Sequence, residues 1–428
     1  MSKVKAFRAV TYNQGKFKDL SRLVCPPYDV ISPAEQQYYH DLDPYNFIHI
    51  LLGKDITGDD KYIRARNYFK DWLKDKILIT EDKPAVYFYS QQYNLKGEKR
   101  TRFGFIALLR LNEKNPSVFA HEHTRVEPKE DRLKLLKAVK ANLSPIFVIF
   151  ADKKRIIPQI YKRYIQDEKP FIEVQDQAKT VHRLWKIDSP DILANIEAAM
   201  AAENIFIADG HHRYEVSCIY RDEMVKRMPA VSPEEDYNYT LAYFTHLDPK
   251  GLAILPIHRL VRLGSHFDSA DFMNRLKEYF EVEEVKDKIK FFFLLEKAGR
   301  TEHIIGMYKD KRYWLLRLKN IKILDKEMSD RPKEYRMLDV SILNCLVLNK
   351  IIGLDLEVKG NIAYSPDAEE LIERVDNDSA YVAFFLNGVK VEQIMAVALK
   401  GEKMPPKSTY FYPKVLSGLV VNKHGRQD

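Results

Sequence analysis

With 428 residues, the chain is too long for one ordinary hydrophobic core, and two or three packed units are expected. Its composition of 45% hydrophobic, 30% charged and 12% aromatic residues is that of a folded protein, and no segment approaches the roughly 18 apolar residues of a membrane span, so no membrane partner is expected. The 69 basic and 61 acidic residues leave a net charge of +8, dispersed with Lys-rich stretches at 61–76, 129–140 and 309–326; these read as solvated helix faces, and nucleic acid is not expected as a partner.

The first residues, Met-Ser-Lys-Val-Lys-Ala-Phe-Arg, lack an apolar signal-peptide core, which gives a cytoplasmic expectation. Ser32-Pro33-Ala34-Glu35 reads as an N-cap, a first-turn proline and a capping box, so a helix is expected just after Pro26-Pro27-Tyr28-Asp29, with Asp29 as a turn residue. Tyr62, Ala65, Phe69, Trp72 and Leu73 share a face of a helix over 61–79, and two β-rich runs, 85–93 and 102–111, follow as a hairpin through Gly97. Residues 1–112 therefore read as an N-terminal α+β unit. A central α/β unit, 113–262, is expected from an extended segment at 118–125, a helix from Asp131 carrying Leu136, Val139 and Leu143, a buried strand at 146–150, a helix near 156–164, a strand at 181–187, a helix near 190–202, and strands at 239–246 and 251–260. The remainder, 263–428, reads as a C-terminal α+β unit. Its expected elements are an amphipathic segment at 267–279, strands at 290–295 and 312–318, a helix over 338–352 ended by Gly353, a helix from Ser365-Pro366, a strand at 381–386 and a helix at 391–399 before a Met-Pro-Pro-Lys-Ser-Thr loop. Cys25, Cys218 and Cys345 are too few and too scattered for a disulfide framework or a C-x-x-C site.

The most informative stretch is Ile205-Phe206-Ile207-Ala208-Asp209-Gly210-His211-His212-Arg213-Tyr214, in which a short apolar strand breaks at Gly210 and resumes as a helix bearing Val216, Tyr220 and Met224 at i, i+4 and i+8. The first N–H groups of such a helix, with His211, His212 and Arg213 beside them, suit a phosphate. Asp209 is then an acid placed where anion binding is expected, suited to holding a divalent metal or taking a proton from a hydroxyl. The plain alternative is an N-cap acid and solvated histidines.

Other constellations are weaker. His121-Glu122-His123 places His121 and His123 on one side of an extended segment and Glu122 on the other; it lacks the His spacing of a zinc protease, and Glu122 is either a base or metal ligand or the partner of Arg125 or Arg132. In the Met404–Thr409 loop and its continuation, Lys407, Ser408, Thr409 and Lys414 cluster donors for phosphate oxygens, anchored by Tyr410, Phe411 and Tyr412. His258-Arg259 at a strand end faces either a ligand or solvent. No G-x-x-x-x-G-K-[ST], G-x-G-x-x-G or serine nucleophile elbow occurs.

Five segments in order, Pro26-Pro27-Tyr28-Asp29-Val30-Ile31, His121-Glu122-His123-Thr124, Asp209-Gly210-His211-His212-Arg213, Leu255-Pro256-Ile257-His258-Arg259 and Met404-Pro405-Pro406-Lys407-Ser408-Thr409, resemble the bacterial and archaeal family called domain of unknown function 1015 along essentially the whole chain. More narrowly, Asp209-Gly210-His211-His212-Arg213 resembles the Asp-Gly-His-His-Arg motif of free serine kinases, which have a ParB-like nucleotide-binding fold and phosphorylate the hydroxyl of L-serine. That resemblance implies Asp209 as catalytic residue, His211, His212 and Arg213 at the nucleotide phosphates, and Glu122, by order alone, as the second carboxylate.

The expectation is an α+β protein of mixed sheets and packed helices with a ParB- and serine-kinase-like core in its central region. It would act as a phosphotransferase between ATP or ADP and a small hydroxyl substrate, with Mg2+ at Asp209. Catalytic residues are expected to be Asp209 and Glu122; phosphate-binding residues Gly210, His211, His212, Arg213, Lys407, Ser408, Thr409 and Lys414; supporting residues His121, His123 and Arg259. The alternatives are a ParB-like CTP or ATP sensor and a metal-dependent phosphoester hydrolase. Oligomeric state is open at this stage.

Overall fold

A computed structural model describes residues 4–111, 117–124, 126–227, 232, 234–264, 268–355 and 360–425. Arg125, the residue at the 112/113 boundary and the start of the segment expected at 267 lie outside the described residues. The protein is α+β, with mixed and antiparallel sheets and packed helices, and divides into two compact units. The first comprises Met1–Ala120, Thr124–Ala253 and Pro413–Asp428; the second comprises His121–His123 and Ile254–Tyr412.

The first unit is built on a nine-stranded sheet. Its order is Val118–Phe119, Ile205–Asp209, Ile146–Phe150, Tyr239–His246, Glu98–Arg110, Val86–Leu95, Val181–Ile187 and Ile172–Gln175, with Val4–Lys5 also paired to Glu98–Arg110. The hairpin expected through Gly97 is present, closed by Lys96 and Gly97 at φ 51° and 81°, the positive pair that a two-residue turn requires. Stretches 1–112 and 113–262, expected as separate units, share this sheet because Glu98–Arg110 pairs antiparallel with Tyr239–His246 from Arg110↔Tyr239 to Gly104↔Thr245. Residues 413–428, expected in the last unit, join the first through Asn422–Lys423 on Ala141–Asn142 and a Val10–Val421 bridge.

Alternation of side chains divides the sheet into two buried faces. Phe88, Phe105, Ile146, Val148, Phe150, Ile205, Ile207 and Phe244 pack in one cluster with Ile156, Ile160, Ile192, Ile196 and Met200 of the helical segments 156–165 and 190–200. Each such side chain contributes about 1.5–3 kcal/mol by leaving water. A second cluster, Leu136, Val216, Tyr220 and Tyr237 with Leu133 and Met224, joins the helices Val126–Val139 and His211–Arg227. The first of these begins at Val126 rather than at Asp131 and stops at Val139, where Lys140 takes φ 55°; Leu143 therefore lies beyond the helix that was expected to carry it. The helix expected near 156–164 continues in π geometry over Tyr161–Ile165, and the strand Ile172–Gln175 has no counterpart in the sequence reading.

The second unit has a six-stranded antiparallel sheet in the order Phe280–Val285, Arg312–Leu318, Ile304–Lys309, Tyr381–Phe385, His258–Arg262 and Ile362–Ser365. The apolar run at 290–295, expected as a strand, lies instead in the helix Lys288–Ala298. Asp287 caps it by accepting from the Lys290 N–H at 2.7 Å, and Phe291 and Leu295, one turn apart, are both buried in the sheet's core. The strand expected over 251–260 is split into Ala253–Leu255 and His258–Arg262 at Pro256, which cannot donate to a ladder. Among the described residues, no helix is long and apolar enough to cross a membrane.

Candidate functional site

The corner at Asp209 is built as the residues dictate. The strand Ile205–Asp209 is fully buried up to Ala208, and a bulge between Ile207 and Asp209 shifts its register so that Asp209 stands opposite Phe147. Gly210 then takes φ +86°, and the 17-residue helix His211–Arg227 begins at once. No other residue fits Gly210 well: the conformation is left-handed, and a Cβ there would meet the Arg213 guanidinium at 2.9 Å. The start of that helix carries the positive end of its dipole.

Asp209 is held between two cations. Arg213 Nη2 donates to its Oδ2 at 2.9 Å, and Lys414 Nζ donates to its Oδ1 at 2.8 Å. Burial by itself pushes the carboxyl up, but Lys414, Arg213 and His211 together outweigh it and hold Asp209 well below the usual carboxylate range. Arg213 also donates to the Pro145 carbonyl, and its guanidinium lies 4.0 Å from Asp29, so two carboxylates flank it. Asp29 thus belongs to the corner rather than to a mere turn before the capping box at Ser32, which is present as expected.

Lys414 is placed by residues that the sequence reading passed over. Arg102, 1% exposed, donates from Nη2 to the Pro413 carbonyl at 2.6 Å and from Nε to Gln91 Oε1 at 3.1 Å, while Gln91 Nε2 donates to the Lys414 carbonyl at 2.8 Å. The guanidinium lies 4.4 Å from the Phe147 ring centroid. The signal is a pair of polar residues facing each other, Gln91↔Arg102, both fully buried where the strands run into their apolar stretches.

An open cleft adjoins Arg213. Leu51, Leu135, Leu136, Leu143 and Val216 give it apolar walls, and Tyr28, Arg132, Ser217 and Thr240 give it polar ones. Arg132 is tied to the Leu51 carbonyl at 2.7 Å and to Asp131, and lies 4.3 Å from the Tyr28 ring centroid. Burial, then Asp29, pushes the Tyr28 hydroxyl up to about 12 against the pull of Arg213 and Arg132. From the His121–Thr124 segment, Thr124 belongs to this unit and donates to Glu215 Oε2 at 2.6 Å, one turn into the helix after the corner.

The other sequence candidates fall in the second unit. His121 Nε2 lies 3.4 Å from Thr409 Oγ1, and the His121 carbonyl accepts from the Met404 N–H at 2.8 Å. Glu122 and His123 belong to the same short segment. Arg259 is not at an open strand end: it is 1% exposed, burial pulls it down to about 10, and it donates to the Ile257 carbonyl and, at 2.9 Å, to that of Lys407. Lys407 is left-handed at φ 56°, and Ser408 donates to the Pro405 carbonyl. The four donors expected together are therefore divided, Lys407, Ser408 and Thr409 in one unit and Lys414 in the other.

The first unit is thus an α+β sheet protein whose strand end, positive-φ glycine and helix start gather an acid, a guanidinium and an ammonium. The chain belongs to the family described as Protein of unknown function (DUF1015), whose model matches residues 4–341. No curated protein matches the chain. Solved structures similar to it include a free serine kinase in complex with AMP, at 14% identity and TM-score 0.32 over 70% of this chain and 88% of that one. A conserved hypothetical protein from Pyrococcus furiosus is similar at 13% identity and TM-score 0.31 over 72% and 92%. SbnI with a C-terminal truncation, from Staphylococcus aureus, is similar at 12% identity and TM-score 0.36 over 74% and 86%.

Proposed function

We propose that the protein is a phosphotransferase moving a phosphoryl group between ATP or ADP and a small hydroxyl substrate, L-serine or a relative being the acceptor to test first. The observation that carries this reading is Asp209 between Lys414 and Arg213 at the start of the His211–Arg227 helix. The resemblance of Asp209-Gly210-His211-His212-Arg213 to the free serine kinase motif supports it.

In this reading the helix start, with Gly210, His211, His212 and Arg213, holds the phosphates, and the apolar cavity beside Arg213 takes the rest of the nucleotide. The acceptor oxygen forms a bond to the terminal phosphorus as the bridging oxygen leaves with the nucleotide, and the hydroxyl proton must go to a base. While both cations touch it, Asp209 is ionised but a weak proton acceptor. Lys414 therefore moves from Asp209 Oδ1 onto a phosphoryl oxygen, which neutralises charge there and frees the carboxylate for the proton or for Mg2+.

Asp209 and Asp29 are donors suited to Mg2+, which asks for one or two carboxylates and completes its shell with phosphate and water; bound there it would supply charge neutralisation to the phosphates. Among the described residues, no three His, Cys, Asp or Glu side chains gather as a metal-holding group, which gives the hydrolase alternative no specific support. Glu122 is proposed as a second carboxylate by order in the chain only, Lys407, Ser408 and Thr409 as phosphate-binding residues by the donor composition of their loop, and His121, His123 and Arg259 as supporting residues.

Incubation with Mg2+, ATP or ADP and pooled amino acids including L-serine, followed by phosphorus NMR, tests the proposal. A new phosphomonoester signal is expected. Nucleotide binding without any transfer would favour a ParB-like sensor instead.

A further inference from the structure

Two of the five segments that carry the family resemblance meet in the second unit around a cavity whose lining, Ser408 apart, has no part in the phosphotransfer reading. Arg259 joins them by donating to the Lys407 carbonyl at 2.9 Å, and Ile257 and Ser408 line a cavity of about 140 Å³. His303, Asp339, Arg300 and Lys390 line it as well. His303 Nδ1 and Asp339 Oδ1 are 2.7 Å apart, a carboxylate–imidazole pair that fixes the orientation of the ring. With Nδ1 committed to Asp339, Nε2 is the nitrogen left for a ligand. Lys390 is exposed, its ammonium donates to the Arg300 carbonyl at 3.1 Å, and its charge reaches Asp339. Glu302, the other acid of the wall, is already matched by Arg317.

We propose that this cavity is a second binding site, for a small molecule presenting an oxyanion, carboxylate or phosphate, to His303 Nε2 and the Lys390 ammonium. With its ring held through Nδ1 by Asp339, His303 presents Nε2–H to an oxyanion, and hydrogen bonds accepted by an ionised oxygen are among the strong ones. The site is independent of the corner at Asp209.

The test is NMR of the histidine ring signals of the full-length protein, titrated at constant ionic strength with inorganic phosphate or with acetate. The His303 signal is assigned by its loss in His303→Gln. A saturable shift of that signal is expected with one of the two anions, and which one names the ligand class. Binding should weaken about tenfold in Lys390→Met, the loss of one charge-assisted contact, and stay unchanged in Asp209→Asn. Lys390 is exposed, so this variant keeps the fold, and its other histidine signals should not move. No saturable shift with either anion, or equal affinity in Lys390→Met, overturns the proposal.

Discussion

Lys414 donates to Asp209 at 2.8 Å although 205 residues separate the two in the chain. The contact ties residues 413–428 to the corner of the first unit, and it depends on Arg102 and Gln91, which hold the Pro413 and Lys414 carbonyls. Asp209 consequently has both oxygens engaged by cations before any ligand arrives.

Lys414→Met should lower stability by about 1–3 kcal/mol at pH 7, since it strips one partner from a largely buried carboxylate. The carboxyl of folded Asp209 lies below its unfolded value of about 3.9, so the stabilisation is complete above that value and is lost as pH falls through the folded one. Urea unfolding at pH 7 and at pH 3 should show the gap between wild type and variant narrowing in acid. A gap that widens in acid would contradict the pairing.

Arg102→Met leaves Gln91 and the Pro413 carbonyl without their buried donor. A loss of about 1–3 kcal/mol is expected in urea unfolding, the cost of leaving buried acceptors without their donor. Because Lys414 is placed through these contacts, the losses in Arg102→Met and Lys414→Met should be less than additive in the double variant.

Gly210→Ala puts a Cβ 2.9 Å from the Arg213 guanidinium at a φ of +86°. About 1–3 kcal/mol should be lost. The same change at Gly97, where nothing stands within 4 Å of the added Cβ, keeps only the backbone penalty and should cost less.

Leu136→Trp narrows the apolar cavity beside Arg213 from the Val126–Val139 helix and leaves Asp209, Lys414 and the residues of the helix start unsubstituted. Calorimetric titration should show weakened binding of ATP and unchanged binding of inorganic pyrophosphate, since only the former needs the cavity. Equal loss of both would mean that the cavity does not receive the nucleoside.

Much of the corner was legible in the sequence because its information is local: an apolar triplet, a glycine, and a helical period through Val216, Tyr220 and Met224. Asp29 was not, because Pro26-Pro27-Tyr28-Asp29 reads as a turn until Arg213, distant in sequence, stands beside it. The charge of Lys414 is legible, but its separation from Lys407, Ser408 and Thr409 is not, since sequence proximity does not say which side of a unit boundary a residue falls on. The run Lys290-Phe291-Phe292-Phe293-Leu294-Leu295 failed for a different reason: a short apolar stretch carries no period of its own, and the Asp287 cap decides for helix. The single sheet shared by 1–112 and 113–262 rests on pairing between distant strands, which no local pattern encodes.

The most direct measurement is phosphorus NMR of wild type and Asp209→Asn side by side with Mg2+, ATP or ADP, and L-serine, with nucleotide affinity measured on the same samples. Wild type should form a phosphomonoester and the variant none, while the variant binds nucleotide at least as tightly because Lys414 and Arg213 are released to the phosphates. Transfer at the wild-type rate by Asp209→Asn would contradict the role given to Asp209.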